Sequence, residues 1–370
     1  MEGASAHDPN RAATVESVGT AVLRPGLYRS ADCNTPDGRR SRNIVRLLSD
    51  LARARAWRRL GSLRKNSRKL AMTMTMDAGI LAAADGNNDR NDLIGQERAI
   101  ARKYIGKFPL AMAIWGFGNL VCWLALWPLV FTGMLPLWAT FPIATVNVIL
   151  CYLPSHEAQH SNFARPGESL RWLNELIGYV STIPLVLPFK IARITHIEHH
   201  RHTNDPDLDP DHGAKADTWW QAILAGIKRR QPGRPNSYAV AIKRLGGNPV
   251  VDRAALEGAL QTLSYWGILA VLAWAGYALE AALIWWLPRH IGTSYISLFL
   301  SWAPHHPAKE KGRYRNTRFF TSPLGNILVL GMEHHGIHHL YPAIPLTSNA
   351  AAFREMQPIL EARGCRFEHL

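Results

Sequence analysis

Twelve of the sixteen histidines in this 370-residue chain fall into three short groups and one neighbouring stretch. Residues 334–342 read HHGIHHLYP, in which His335, His338 and His339 form an H-x-x-H-H group. His196, His199 and His200 repeat that spacing, and His156 and His160 are spaced H-x-x-x-H. His305 and His306 lie in WAPHHP at 302–307. On a helix, residues three and four apart share a face, with about 5–6 Å between Cβ atoms. Each group therefore aims two or three imidazoles at one point. Imidazole suits zinc, copper, iron and nickel. Eight or nine imidazoles exceed what one tetrahedral ion with four ligands takes, and they suit two ions. The groups read as one metal centre assembled from four distant segments. Taken singly, His202, His306 and His334 read equally well as ordinary surface or capping residues.

Long uncharged runs must position these groups. Residues 109–131, 135–153 and 258–279 carry no charged side chain, and 281–303 is apolar except for Arg289 and His290. Each is long enough to cross a hydrocarbon core about 30 Å thick at about 1.5 Å per residue. This predicts an all-α integral membrane protein with four transmembrane helices and a histidine-rich cap. Basic residues flank one side of every span: Arg98, Arg102, Lys103 and Lys107, then Arg165, Arg171, Lys190 and Arg193, then Lys309, Lys311, Arg313, Arg315 and Arg318. The turns at 131–135 and 276–280 carry neither Lys nor Arg. The asymmetry places both termini and the histidines on the cytoplasmic side, in a membrane of the bacterial inner type. Residues 172–188 are apolar but broken by Pro184 and Pro188. They read as an interfacial helix, with a buried re-entrant segment as the alternative.

The net charge of +14 is uneven, with +9 of it in residues 1–71. Residues 1–100 read as a basic, poorly ordered extension, residues 101–350 as the membrane domain, and 351–370 as a tail. The basic stretch at 43–70 resembles a membrane-surface arm in composition, and translation from Met72, Met74 or Met76 would omit it. No nucleic-acid partner is expected. Cys33, Cys122, Cys151 and Cys365 show no C-x-x-C spacing, so neither a disulfide framework nor a cysteine metal site is expected.

Two local motifs suggest other chemistry. HEAQH at 156–160 matches H-E-x-x-H, with Glu157 as the general base of a zinc protease. That reading leaves the other two histidine groups unexplained. The acidic run at 205–211 resembles a calcium loop, but Pro206 and Pro210 break the EF-hand pattern. It reads better as a turn that fixes the histidines, with Asp205 or Asp209 hydrogen-bonding a ligand imidazole. A metal-binding or transport protein is a further class. Transporters, however, place polar ligands at mid-membrane, whereas these histidines fall at the ends of the runs.

Together, HEAQH, HIEHHRHTNDPDLDPD, WAPHHP and GMEHHGIHHLYPAIP resemble the membrane fatty-acid-desaturase superfamily over about residues 102–345. The resemblance implies four spans, a cytosolic di-iron centre, O2 as oxidant, and electrons from ferredoxin or another reductase. It implies His156, His160, His196, His199, His200, His335, His338 and His339 as ligands. His305 stands where acyl desaturases carry a lone ninth ligand. One turn earlier such enzymes can hold a metal-bound water on an asparagine; here Ser301 stands there. The N-D-P-x-x-D-P-D, W-x-P-H-x-P and 313–318 segments most resemble carotenoid ring hydroxylases and ketolases. Carotenoid ring hydroxylation is therefore the first reading of the activity, and fatty-acyl or lipid desaturation the alternative, both on a long apolar lipid. Arg289 and His290, inside the fourth run, read as a membrane anchor near the outer surface. The alternative places them at the far end of a substrate tunnel.

Overall fold

The uncharged runs form helices that turn large apolar side chains outward. The computed structural model describes residues 88–231 and 237–370. The expectations for the basic arm and for alternative starts lie outside the described residues. Helix α1 (Asn88–Tyr104) leads into α2 (Leu110–Phe131). Next, α3 (Leu137–Leu150) continues with a slight break at Cys151 into α4 (Tyr152–Gln159). Helices α5 (Arg171–Ser181), α6 (Phe189–His202), α7 (Trp219–Arg229) and α8 (Ser237–Leu245) precede the long α9 (Pro249–Trp274). Among the described residues, three segments are long and apolar enough to cross a membrane: α2, Leu137–Gln159 and α9. Trp138, Leu263 and Trp274 are among their exposed side chains. Apolar area of this extent facing outward suits contact with lipid.

Two of the expected boundaries move. The second run carries on as helix through the HEAQH motif, so His156 is delivered by the end of a span-length segment. The third helix begins at Pro249, earlier than the run at 258, because Asn248 caps it by accepting from the Val250 N–H at 2.9 Å.

The fourth run is helical from 278 to 305 but not uniform. It contains π-helical turns at Ala282–Trp286 and Ser297–Trp302 on either side of α10 (Leu287–Ile296). Such turns recur at functional sites because they re-aim the side chains that follow. Here the second turn directly precedes His305. Gly292 lets α10 lie against α3, since a Cβ there would come within 2.7 Å of Val148 Cγ1.

The single interfacial helix expected over 172–188 is not what forms. Helix α5 ends at Ser181, and Leu185 and Val186 are buried. The Pro184 and Leu185 carbonyls accept from Trp285 Nε1 and Arg289 Nε, each at 3.0 Å. The prolines stop the helix, and the fourth run's side chains satisfy the backbone groups thus freed.

The outer boundaries, at 100 and 350, also fall inside the folded body. Glu97 on α1 is buried and accepts from Tyr341 Oη at 2.6 Å and Tyr314 Oη at 2.9 Å. The segment read as a tail belongs to α12 (Leu346–Ala362), which buries Ala352, Met356 and Leu360 beneath α11 (His335–Leu340). Among the described residues the regular structure is helical apart from a parallel pair, β1 (Arg318–Thr321) with β2 (Arg366–His369). These four-residue strands are too short for alternation to reveal them. They are joined by stacking of Phe319 on Phe367, with centroids 5.2 Å apart.

Candidate metal centre

Four elements bring the imidazoles together. His156 lies on α4 and His160 caps its C-terminus. Helix α6 supplies His196, His199 and His200 from one face, His305 ends the fourth run, and α11 supplies His335, His338 and His339. Two sets of four result: His156, His160, His196 and His338, and His199, His305, His335 and His339. Within each set one ring nitrogen per residue lies within 4.8 Å of all the others. His200 lies beside the first set, its Nε2 3.0 Å from His338 Nε2 and 3.2 Å from His196 Nε2. Its ring also stacks on His339 of the second set, centroids 4.2 Å apart.

The hydrogen bonds at the backs of these rings decide what their fronts present. His199 Nδ1 lies 2.8 Å from Asp209 Oδ1, and a carboxylate can only accept, so Nδ1 carries the proton. His305 Nδ1 donates likewise to the Asn316 carbonyl at 3.1 Å. Both Nε2 atoms then present lone pairs, yet they face each other at 3.2 Å. His160 and His196 bring their Nε2 atoms to 2.8 Å. With metal–nitrogen bonds of about 2.0–2.1 Å, two ligands at a right angle are separated by about 2.9 Å. The spacing fits neighbouring ligands of a shared cation. His335 has both ring nitrogens buried without a hydrogen-bond partner, as are His156 Nδ1 and His339 Nε2. Unpaired buried polar atoms are costly, and a metal would engage them.

Electrostatics favour neutral, ligand-ready rings. Burial, reinforced by neighbouring imidazoles, holds His160, His196, His200, His335, His338 and His339 well below the ordinary 6.5. His199 differs. Burial lowers it, but the Asp209 carboxylate more than offsets this and leaves it raised. Asp209 is held down in turn by His199 despite its own burial. An imidazole backed by a carboxylate is the usual arrangement at metal sites, since it sets the tautomer and raises ligand basicity.

The acidic turn explains why Asp209 takes this role and Asp205 does not. Asn204, in the left-handed region at φ 66°, gives its N–H to Asp209 Oδ2 at 2.8 Å, and Asp211 N donates to Oδ1 at 2.8 Å. Asp205 points outward, caps the N–H groups of Asp207 and Leu208, and pairs with Lys311 Nζ at 2.7 Å. The expectation that Asp205 supports an imidazole is corrected: its hydrogen bonds go to two backbone N–H groups and Lys311, because the turn spends its carboxylate on backbone donors. Ser301 lies one turn before His305 and donates to Asp211 Oδ2 at 3.1 Å.

The remaining histidines separate from the centre. His306 Nδ1 bonds the Ala216 carbonyl at 3.2 Å, and its ring packs on Trp302. His334 stacks on Phe353, and His202 lies 3.8 Å from Glu198. Glu157 removes the zinc-protease reading. Its carboxylate faces away from the imidazoles, accepting from Asn162 Nδ2 at 2.6 Å and from the Leu346 N–H. It ties α4 to the start of α12 and is not placed to act as a base at the metal.

A cavity of about 610 Å3 opens beside the centre, lined by His156, His196, His199 and His335. Arg289 lines it as well, whereas His290 packs on Trp286 outside it. The anchor reading therefore fails for Arg289, which bonds the Leu185 carbonyl and lies over the Tyr265 ring at 5.3 Å. The tunnel reading fails for His290. Adjacent helical positions differ by about 100°, so the two residues of the pair face different ways. Arg229 and Arg230, which also line the cavity, escape sequence reasoning because a basic run at a helix C-terminus looks like a solvated end.

Span-length apolar helices and, beside them, two four-histidine sets that could each hold a metal ion are the features of a membrane protein with a candidate metal centre. The family model described as "Fatty acid desaturase" matches residues 123–370, and the chain belongs to that family of oxidoreductases. An sn-1 oleoyl-lipid 12-desaturase of Anabaena variabilis is 36% identical over 76 residues, 20% of this chain and 21% of the relative. An sn-1 acyl-lipid omega-3 desaturase (ferredoxin) of Nostoc sp. (strain 36) is 23% identical over 242 residues, 56% of this chain and 64% of the relative. The matches thus span between about a fifth and under two thirds of these relatives' lengths.

Proposed function

We propose that this chain is an O2-dependent di-iron desaturase of acyl lipids. Both relatives are named for acyl lipids, which favours this substrate over the carotenoid ring that the sequence segments first suggested. The observation that carries the reading is the pair of four-imidazole sets opening on a largely apolar cavity. His156, His160, His196 and His338 would hold one iron, and His199, His305, His335 and His339 the other, with His200 beside the first. An iron pair held there would supply O2 activation, with two hydrogens from neighbouring chain carbons and two electrons from the donor, with two protons, reducing O2 to two waters. Asp209 keeps the His199 proton on Nδ1, and the Asn316 carbonyl does the same for His305. Leu187, Ile191, Ile296 and Leu300 on the cavity wall exclude water and hold the chain in register. The fourth run serves as the fourth span, divided by its two π-helical turns and with Arg289 facing the cavity. Both termini and the centre lie on the cytoplasmic side, where a ferredoxin-type donor supplies electrons.

Expression in a host that makes both unsaturated phospholipids and β-carotene, followed by metal and product analysis, tests the reading. The expected result is one iron per four-histidine set and an additional double bond in acyl chains. One zinc without iron would overturn the di-iron reading, and hydroxylated carotene with unchanged acyl chains would overturn the acyl one.

A further inference from the structure

The cavity wall is strongly positive away from the imidazoles. Its charged side chains are Arg229, Arg230, Lys243 and Arg289 against one carboxylate, Asp211. Asp211 already accepts from Tyr238 Oη at 2.7 Å and from Ser301. Among the described residues, none of the three arginines has a carboxylate within ion-pair distance, unlike Arg171, Arg193, Arg244 and Arg318. Arg230 and Arg289 meet at one level of the fourth run, whereas Arg229 lies beside Gly213 and in the field of Asp211. Arg230 Nη2 donates to Ser294 Oγ at 2.5 Å, and Arg289 lies just over one turn before that serine. Burial lowers the Arg230 pKa, and repulsion from Arg289 and Arg229 lowers it further. Half-buried guanidinium groups without an ion partner, among them the mutually repelling Arg230 and Arg289, are costly beside apolar surface. A bound anion would offset that cost.

The route from this cluster to the metal centre is also visible. Residues 289, 293, 296, 297, 300 and 301 all line the cavity, and their three- and four-residue steps make one helical stripe. It runs from Arg289 to Ser301, one turn before His305, over about 18 Å at about 1.5 Å per residue. The middle of the stripe is Ile296, Ser297 and Leu300, and Leu187 and Ile191 also line the cavity.

We propose that Arg230 and Arg289, with Arg229 adding positive charge from beside Arg230, form a subsite for the anionic group of an alkyl-chain substrate, a phosphate or carboxylate, whose apolar chain runs along the stripe to the imidazoles. The inference rests on the desaturase reading and narrows its substrate class: an acyl lipid with a charged head is preferred over an uncharged one. It also places the oxidised carbons far along the chain from the charged group.

Binding to the detergent-purified full chain tests this without turnover. Hexadecyl phosphate, hexadecanoate and hexadecanol are titrated by calorimetry against wild type and Arg229→Gln/Arg230→Gln. Hexadecyl phosphate or hexadecanoate should bind wild type at least about tenfold more tightly than hexadecanol does, and the double variant should lose that advantage. Preference for phosphate alone would assign phospholipid, and equal binding of the two anions would extend the class to free acids. Equal affinity of wild type for hexadecanol and both anions would overturn the subsite, whether or not the variant folds. Anion selectivity retained in a folded double variant would overturn it too. Because binding is read without turnover, a centre that held zinc would sink the desaturase reading and leave this result interpretable.

Discussion

Asp209→Asn tests how the second four-histidine set is held. The wild-type carboxylate accepts three donors at 2.8 Å: His199 Nδ1 and Asp211 N on Oδ1, and Asn204 N on Oδ2. An amide in its place keeps one acceptor oxygen. If that oxygen faces His199, the amide NH2 meets the Asn204 N–H, leaving a buried donor unpaired at a cost of about 1–3 kcal/mol. If the amide flips, His199 loses its acceptor and Nδ1 need not keep the proton. Either way the negative charge behind His199 is gone. Loss of such outer partners typically lowers metal affinity about 10–100-fold, or about 1.4–2.7 kcal/mol. Only the set containing His199 is served by Asp209, so iron should fall towards half of the wild-type content under chelator challenge. Elemental analysis per chain, after graded chelator exposure in detergent, measures this. Asp205→Asn is the control, since Asp205 pairs with Lys311 and caps its own turn. Undiminished iron retention in Asp209→Asn, or equal loss in Asp205→Asn, would refute the argument that the carboxylate orients His199.

His305→Ala should lower iron content and abolish activity, while His306→Ala keeps most of both, because only His305 faces the second set and His306 bonds the Ala216 carbonyl; elemental analysis and O2 uptake distinguish them, and the opposite ranking would place the site one residue later. Glu157→Gln should destabilise the chain by about 1–3 kcal/mol, since one of its two buried donors loses its acceptor. It should leave turnover per folded molecule unchanged, and loss of turnover at full stability would return Glu157 to the chemistry.

The histidine sets were legible because their information is local. Three- and four-residue spacings on α4, α6 and α11 orient the rings without reference to the rest of the chain. What the spacing leaves open is whatever a distant partner decides. H-E-x-x-H looks the same whether Glu157 faces a metal or, as here, the N–H of Leu346 almost two hundred residues away. Asp205 and Asp209 are chemically equivalent in the sequence. The left-handed Asn204 is what directs one towards His199, and Asn204 is itself anchored by giving its side-chain N–H to the Glu310 and Asn316 carbonyls at 2.7 and 2.8 Å. Asn316 also accepts from His305, so one carbonyl couples the acidic turn to the last imidazole of the fourth run. The same limit applies to Arg289. Hydropathy registers a charge inside an apolar run, but its facing depends on α10 packing against α3 and on the irregular backbone at Leu185. The 313–318 segment resembles carotenoid ring hydroxylases and ketolases in sequence. Its physical contribution is positional: Arg318 Nε holds the Ala303 carbonyl at 2.6 Å, two residues before His305, and Arg318 Nη1 pairs with Glu368 at 2.7 Å. The C-terminal strand, read as part of a tail, thereby braces the end of the helix that presents a candidate ligand.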